Sequence, residues 1–212
     1  SRSRAQVNTA ENNGLQIGDE VTLDLVANIS QNVTLKYNDY NAKLLVNPVS
    51  FGSTQVGVGS TVSTLNLPAH NLLTGDKVVY ESSNPITNLE NQREYFVIKI
   101  DDNNIKLADS YYNSTRLNYV NVSLGSSGSG THTISPINPK LEFTRNSTVG
   151  FAVSDSSLQN LKLEFYDNQD FTNQNFEQNV TRIGSPGDGN VTTKVNLTIN
   201  ENIPDVIYYK AI

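Results

Sequence analysis

The chain contains no cysteine, which rules out disulfide staples, thiolate metal sites and cysteine nucleophiles together. Methionine is also missing, even at position 1. A primary translation product starts with Met, so Ser1 reads as the start of a processed or excised piece. The end at Ala211-Ile212, directly after a strand-like run, is equally abrupt, and a segment of a longer polypeptide is expected. Charged residues make up only 17% of the 212 positions, and apolar residues 36%. No apolar run approaches the length of a membrane span, and no signal peptide is visible. The formal net charge of −6 argues against a nucleic-acid groove, which needs clustered Lys and Arg. Arg2 and Arg4 near the start are too few to change that.

Neutral polar residues fill the deficit. Asparagine alone supplies 29 positions, several times ordinary usage. Such a surface carries no long-range field and suits salt water or a packed assembly. Eight N-x-S/T sequons occur, at Asn28, Asn32, Asn113, Asn121, Asn146, Asn179, Asn190 and Asn196. This abundance of Asn, Ser and Thr generates roughly six by chance, so composition explains them without a glycoprotein reading.

The pattern L-x-x-G-D-x-V occurs twice, as Leu15–Val21 and as Leu72–Val78. Gly tolerates positive φ, Asp closes an Asx-type turn, and the following valines favour a pleated surface. Gly18, Asp19, Gly75 and Asp76 are therefore read as turn residues that launch strands. Period-two runs recur along the chain: 21–26, 33–37, 43–46, 62–67, 77–80, 95–100, 105–107, 120–124, 132–134, 149–153, 161–165, 191–199 and 206–209. Many short strands between Gly, Asn, Asp, Pro and Ser clusters predict an all-β protein. Asp101-Asp102-Asn103-Asn104 between 95–100 and 105–107 predicts a hairpin with a four-residue loop.

The expected architecture is a series of small β-sandwich or Greek-key-like domains joined by Gly/Ser/Pro-rich linkers. One boundary is read in the glycine-rich stretch 51–60. The other is placed at Pro136 and Pro139, after the Gly/Ser run 125–130, which reads as a linker or a long hairpin tip. Three units follow: 1–50, the end of an upstream β domain; 51–138, a small β module; and 139–212, a cupredoxin- or Ig-like sandwich domain, complete or truncated.

The middle unit resembles a module of virion structural proteins from contractile-tailed phages of marine cyanobacteria. The residues that carry the likeness are Pro68-Ala69-His70-Asn71-Leu72-Leu73-Thr74-Gly75-Asp76-Lys77-Val78-Val79-Tyr80, Asn88-Leu89, Tyr95-Phe96-Val97-Ile98-Lys99, Asp102 to Ala108, and Gly128-Ser129-Gly130-Thr131-His132-Thr133-Ile134. They cover about a third of the chain in matching order. The third unit is similar to segments that follow this module, through Ser147 to Phe151, Ser154 to Leu158, Leu163 to Tyr166 and Glu201 to Lys210. The resemblance implies a tail, baseplate or fibre component of the virion, extracellular, partnered by other copies of itself and by other virion proteins. It implies no enzyme activity.

Candidate chemistry is thin. His70 and His132 are the only histidines, with no H-x-H or H-x-x-x-H spacing, and both sit at turn-to-strand positions where an imidazole bonds a backbone carbonyl. A Ser-His-Asp triad lacks any G-x-S-x-G elbow, and a depolymerase needs paired carboxylates that sequence cannot pair here. The third unit has a faint cupredoxin-like rhythm, but no His or Cys follows His132, which excludes copper. Asp101, Asp102 and Asn103, Asp167, Asn168 and Asp170, and Asp188 offer oxygen ligands suited to calcium, without EF-hand spacing; turn formation explains them. No cofactor or metal is expected. Tyr111, Tyr112 and Tyr119 fall between strands. They are read as subunit-contact or half-buried sheet residues, with stacking on a host-surface glycan as the alternative.

Overall fold

A computed structural model describes residues 31–39, 43–60, 62–174 and 176–212. Chain order begins with β1 (Gln31–Asn38) and β2 (Lys43–Val46), a hairpin that pairs Leu35 with Val46 and Tyr37 with Leu44. Seven strands follow: β3 (Val49–Gly52), β4 (Val56–Gly57), β5 (Thr64–Asn66), β6 (Lys77–Ser82), β7 (Arg93–Lys99), β8 (Asn104–Ala108) and, after helix α1 (Tyr111–Thr115), β9 (Thr131–Pro136). The chain ends with β10 (Ser147–Ala152), β11 (Leu163–Tyr166), β12 (Val180–Ile183), β13 (Lys194–Ile199) and β14 (Tyr208–Ala211). The protein is all-β, as the alternation predicts.

β3 to β9 make one antiparallel sheet in the order β3-β9-β6-β7-β8-β5-β4. Its two outer strands are separated in sequence only by the 3-10 turn Ser53–Gln55. One bent segment therefore supplies both edges and curls the sheet toward a barrel. Gln55 holds the bend: its Oε1 accepts from the Gly52 N–H at 3.0 Å and its Nε2 donates to the Asn66 carbonyl at 2.9 Å. Gly57 allows β4 and β5 to approach, since a Cβ there would stand 2.5 Å from Thr64 Oγ1 and 2.6 Å from Val62 Cγ1. Leu65, Val78, Tyr80, Tyr95, Val97, Ile105 and Ile134 fill the interior. The predicted hairpin is present, with Lys99 opposite Ile105.

The glycine-rich stretch 51–60 is thus no domain boundary; it is the strand that closes the barrel. The Gly/Ser run 125–130 is no interdomain linker either. It packs on the barrel, where the Gly125 N–H donates to the Thr87 carbonyl and Ser126 Oγ accepts from the Thr87 N–H. Residues 120–124, predicted as a strand, make isolated bonds, such as Val122 N–H to the Leu107 carbonyl at 2.7 Å, and no ladder. The predicted strand 191–199 begins at Lys194, because Asn190 Oδ1 holds Thr192 in a turn.

The remaining strands form a sandwich. A five-stranded sheet, β12-β13-β10-β1-β2, faces the two-stranded sheet β11-β14. Phe151 of β10 meets Phe165 of β11 across the interior, ring centroids 5.2 Å apart. β1 runs parallel to β10, placing Val33 opposite Phe151. Val33, Leu35, Leu44 and Val46 consequently share one core with Val149, Phe151, Phe165, Val195 and Leu197. The described part of the first unit is no tail of a separate upstream domain: it completes the sheet of the third. The architecture is nested rather than serial, with the barrel inserted between β2 and β10.

Entry to and exit from the barrel lie side by side. Leu45 bridges Ile137, the Asn138 N–H donates to the Leu44 carbonyl at 3.0 Å, and the Ile137 N–H donates to the Lys77 carbonyl at 3.0 Å. Lys36 of the sandwich reaches Glu81 of the barrel at 3.0 Å. Among the described residues no helix is long and apolar enough to cross a membrane.

Candidate functional site

The second L-x-x-G-D-x-V motif builds the turn before β6. Asp76 Oδ2 accepts from the Leu73 N–H at 2.8 Å, and the Asp76 N–H donates to the Leu73 carbonyl. The Gly75 N–H then joins the turn to the Val97 carbonyl at 2.9 Å. Gly75 has φ +95°, and a Cβ on it would lie 2.9 Å from Tyr111 Cε2. Glycine is required twice over, by the backbone and by the ring that rests on it. Gly18 and Asp19 of the first motif copy lie outside the described residues.

That ring belongs to α1, a single turn capped by Ser110, whose Oγ accepts from the Asn113 N–H at 3.2 Å. Asp109 Oδ1 also takes the Asn113 side-chain amide at 2.7 Å. Arg116 is extended and ends the helix. The chain then turns back, and the Val120 N–H donates to the Asn113 carbonyl at 2.9 Å, which brings Tyr119 to the helix. Tyr111 and Tyr112 are thus helical and Tyr119 is in a loop. All three are exposed, by 60%, 69% and 41%. The expectation of half-buried sheet positions is corrected, because the segment from Ser110 to Val120 lies outside the barrel wall.

The surface around them is aromatic and cationic. Tyr111 stands edge-on to Phe96, centroids 6.1 Å apart, and Lys77 lies 5.5 Å above the Phe96 ring. The Arg116 guanidinium lies 5.5 Å from the Tyr112 ring, and the Lys106 ammonium 5.6 Å from that of Tyr119. Arg116 Nε is buried without a hydrogen-bond partner, and among the described residues no carboxylate pairs with Arg116. Leu117, 97% exposed, extends the surface together with Leu73 and Val120. Arg116, Leu73 and the Gly75 seat escape a reading of the sequence; only the doubled tyrosine beside Asn113-Ser114-Thr115-Arg116 marks the place.

The two histidines serve separate structural networks. His70 Nδ1 accepts from the Leu72 N–H at 2.9 Å, so Nε2 carries the proton and donates to the Asp101 carbonyl at 3.0 Å. His132 is fully buried, between Phe51 and Tyr80. Tyr80 Oη accepts from the Ile86 N–H at 2.9 Å and lies 2.8 Å from His132 Nδ1. The hydroxyl thus bonds both neighbours at once, with one acceptor site taken by Ile86 and the other contact made to the imidazole. Burial pushes the His132 pKa down, and the nearby Ser127 backbone opposes this. Burial likewise pushes the Tyr80 phenol up.

The acidic loops hold turns. Asp101 Oδ1 accepts from the Asn103 N–H, Asp188 Oδ1 from the Asn190 N–H, and Asp102 pairs with Lys99 at 2.8 Å. Side-chain bonds from Asn104 hold the Asp101 carboxyl below its usual range, and Thr193 does the same for Asp188. Asp167 Oδ2 accepts from Asn173 at 2.9 Å. No group of three His, Cys, Asp or Glu side chains converges among the described residues. The sandwich carries a groove of about 1120 Å³, floored by Phe143, Phe151, Phe165 and Tyr209. Of its charged lining, Lys140 pairs with Glu142 and Arg145 with Asp205, while the Lys210 ammonium lies 4.8 Å from the Phe171 ring centroid. Tyr209 Oη donates to the Pro139 carbonyl at 2.7 Å, and burial pushes its pKa well up. Burial of Glu164 raises its pKa, but bonds from Lys162, Tyr166 and Gln174 outweigh that and leave it lowered. This arrangement can bind and pack. Compared with family models, curated proteins and solved structures, the chain matches none of them.

Proposed function

We propose that this chain is a non-enzymatic structural protein of a phage virion, a segment of a tail, baseplate or fibre polypeptide that acts through assembly contacts in the extracellular particle. The phage assignment rests on the module resemblance. The observation that carries the structural role is how the buried reactive groups are used. His70, His132 and Glu164 are each held by turn, ring or strand neighbours, and none of them meets another. The nested plan supports the reading mechanically. Two covalent crossings, the Leu45–Ile137 bridge and the Lys36–Glu81 pair join barrel and sandwich, giving a short stiff strut whose remaining sheet edges, β2, β11, β12 and β14, suit coverage by neighbouring subunits.

Sedimentation velocity of the chain over a wide concentration range tests this. Self-association, or incorporation into a regular particle in electron micrographs, is expected. A monomer at every concentration that also fails to join any larger object would overturn it.

A further inference from the structure

The surface spanning Tyr111 to Val120 carries a function beyond scaffolding. We propose that it binds an acidic carbohydrate, a saccharide bearing a uronate carboxylate, by stacking sugar rings on Tyr111 and Tyr112 and pairing the carboxylate with Arg116. The C–H faces of a sugar ring are apolar and match an exposed aromatic plane. Tyr112 is 69% exposed, so most of its ring stays in water with the guanidinium alongside. Arg116 supplies a planar fork that matches a carboxylate.

Charge makes the site acid-selective. The chain is net negative, and in the barrel Lys77, Arg93 and Lys99 each sit on a carboxylate, of Glu94, Glu90 and Asp102 respectively. Arg116 instead faces an aromatic ring, leaving its charge to a ligand. The segment is ordered before binding, because the Ser110 cap, the Asp109–Asn113 bond and the Val120–Asn113 bond hold its backbone and the Gly75 seat holds the Tyr111 ring. That lowers the entropy lost on binding. Size separates a saccharide from a protein partner. A stable protein interface engages about 20–30 residues a side, whereas this platform consists of a handful of side chains, the footprint of two or three sugar rings.

The test is a 1H–15N NMR titration of the whole chain with trigalacturonate, with a neutral trisaccharide, and with hexaglutamate. Trigalacturonate is expected to shift resonances of residues 73–76 and 109–120, and to bind at least about tenfold more tightly than the neutral sugar. Tyr112→Ala and Arg116→Ala should each weaken binding about tenfold or more. Tyr112→Phe should keep it, and Arg116→Lys, which retains the charge without the fork, should fall between. Both side chains stand outside the core, so unchanged core resonances verify folding; if an alanine variant misfolds, the Tyr112→Phe and Arg116→Lys pair decides. Absence of shifts in this region overturns the proposal. So does hexaglutamate binding as tightly as trigalacturonate with Tyr112→Ala unaffected, which would assign the surface to an acidic protein.

Discussion

Tyr80→Phe deletes one oxygen from the barrel interior and leaves the ring that packs there. The hydroxyl accepts from the Ile86 N–H and hydrogen-bonds His132 Nδ1, and both Tyr80 and His132 are fully buried. No cavity larger than an oxygen arises, so loss of apolar contact is negligible. The cost comes from two buried polar atoms without partners, each worth about 1–3 kcal/mol. Together they should remove about 2–6 kcal/mol, a large share of the roughly 5–15 kcal/mol typical of a domain. With a urea dependence of about 2 kcal/mol per molar, the unfolding midpoint should fall by about 1–3 M. The two cores can be followed separately, through resonances of β6 and β9 for the barrel and of β10 and β13 for the sandwich. The barrel midpoint should fall first and furthest, with its slope unchanged. A midpoint shift under about 0.3 M would refute the claim that this hydroxyl satisfies both neighbours.

His132 makes barrel stability depend on pH. Its pKa is lowered from the ordinary 6.5 by burial, so between the two values the unfolded chain binds more protons and stability rises with pH. Stability should be flat above about pH 6.5 and decline as pH falls through the folded pKa, a decline that His132→Asn removes in urea midpoints taken from pH 7.5 to 5. Gly75→Ala combines φ +95° with a clash on Tyr111 and should cost about 1–3 kcal/mol, read as a lower melting temperature together with displaced Tyr111 resonances. Lys36→Ala breaks a part-exposed pair and should cost no more than about 1 kcal/mol; a larger loss in the urea midpoint would show that the junction depends on it. Replacing residues 49–136 by a short Gly/Ser loop should leave the sandwich folded, because its core draws nothing from that range and the crossing points adjoin at the Leu45–Ile137 bridge. Residues 139–212 alone should give poorly dispersed spectra, having lost β1 from beside β10.

Strand positions and strand partners were legible to different degrees, for a physical reason. Alternation is local: Tyr95-Phe96-Val97 and Ile105-Lys106-Leu107 announce a hairpin because loop and register lie within a few residues. The pairing of β1 with β10 joins Val33 to Phe151, with a whole barrel between them, and no local period records it. The serial reading failed there, since an inserted domain leaves the same string of strands as a tandem one. The closing strand was missed for the opposite reason. Gly52 and Gly57 flank a bend that a barrel needs, yet in sequence they look like a spacer. The candidate site divides in the same way. The doubled tyrosine is visible at once, but its exposure depends on a seat at Gly75 and on the return of Val120 to Asn113, and its electrostatics depend on which carboxylates the other cations find. A turn motif that seemed only to launch β6 therefore has a second role, since the missing side chain at Gly75 is what lets the edge of the Tyr111 ring pack against the turn.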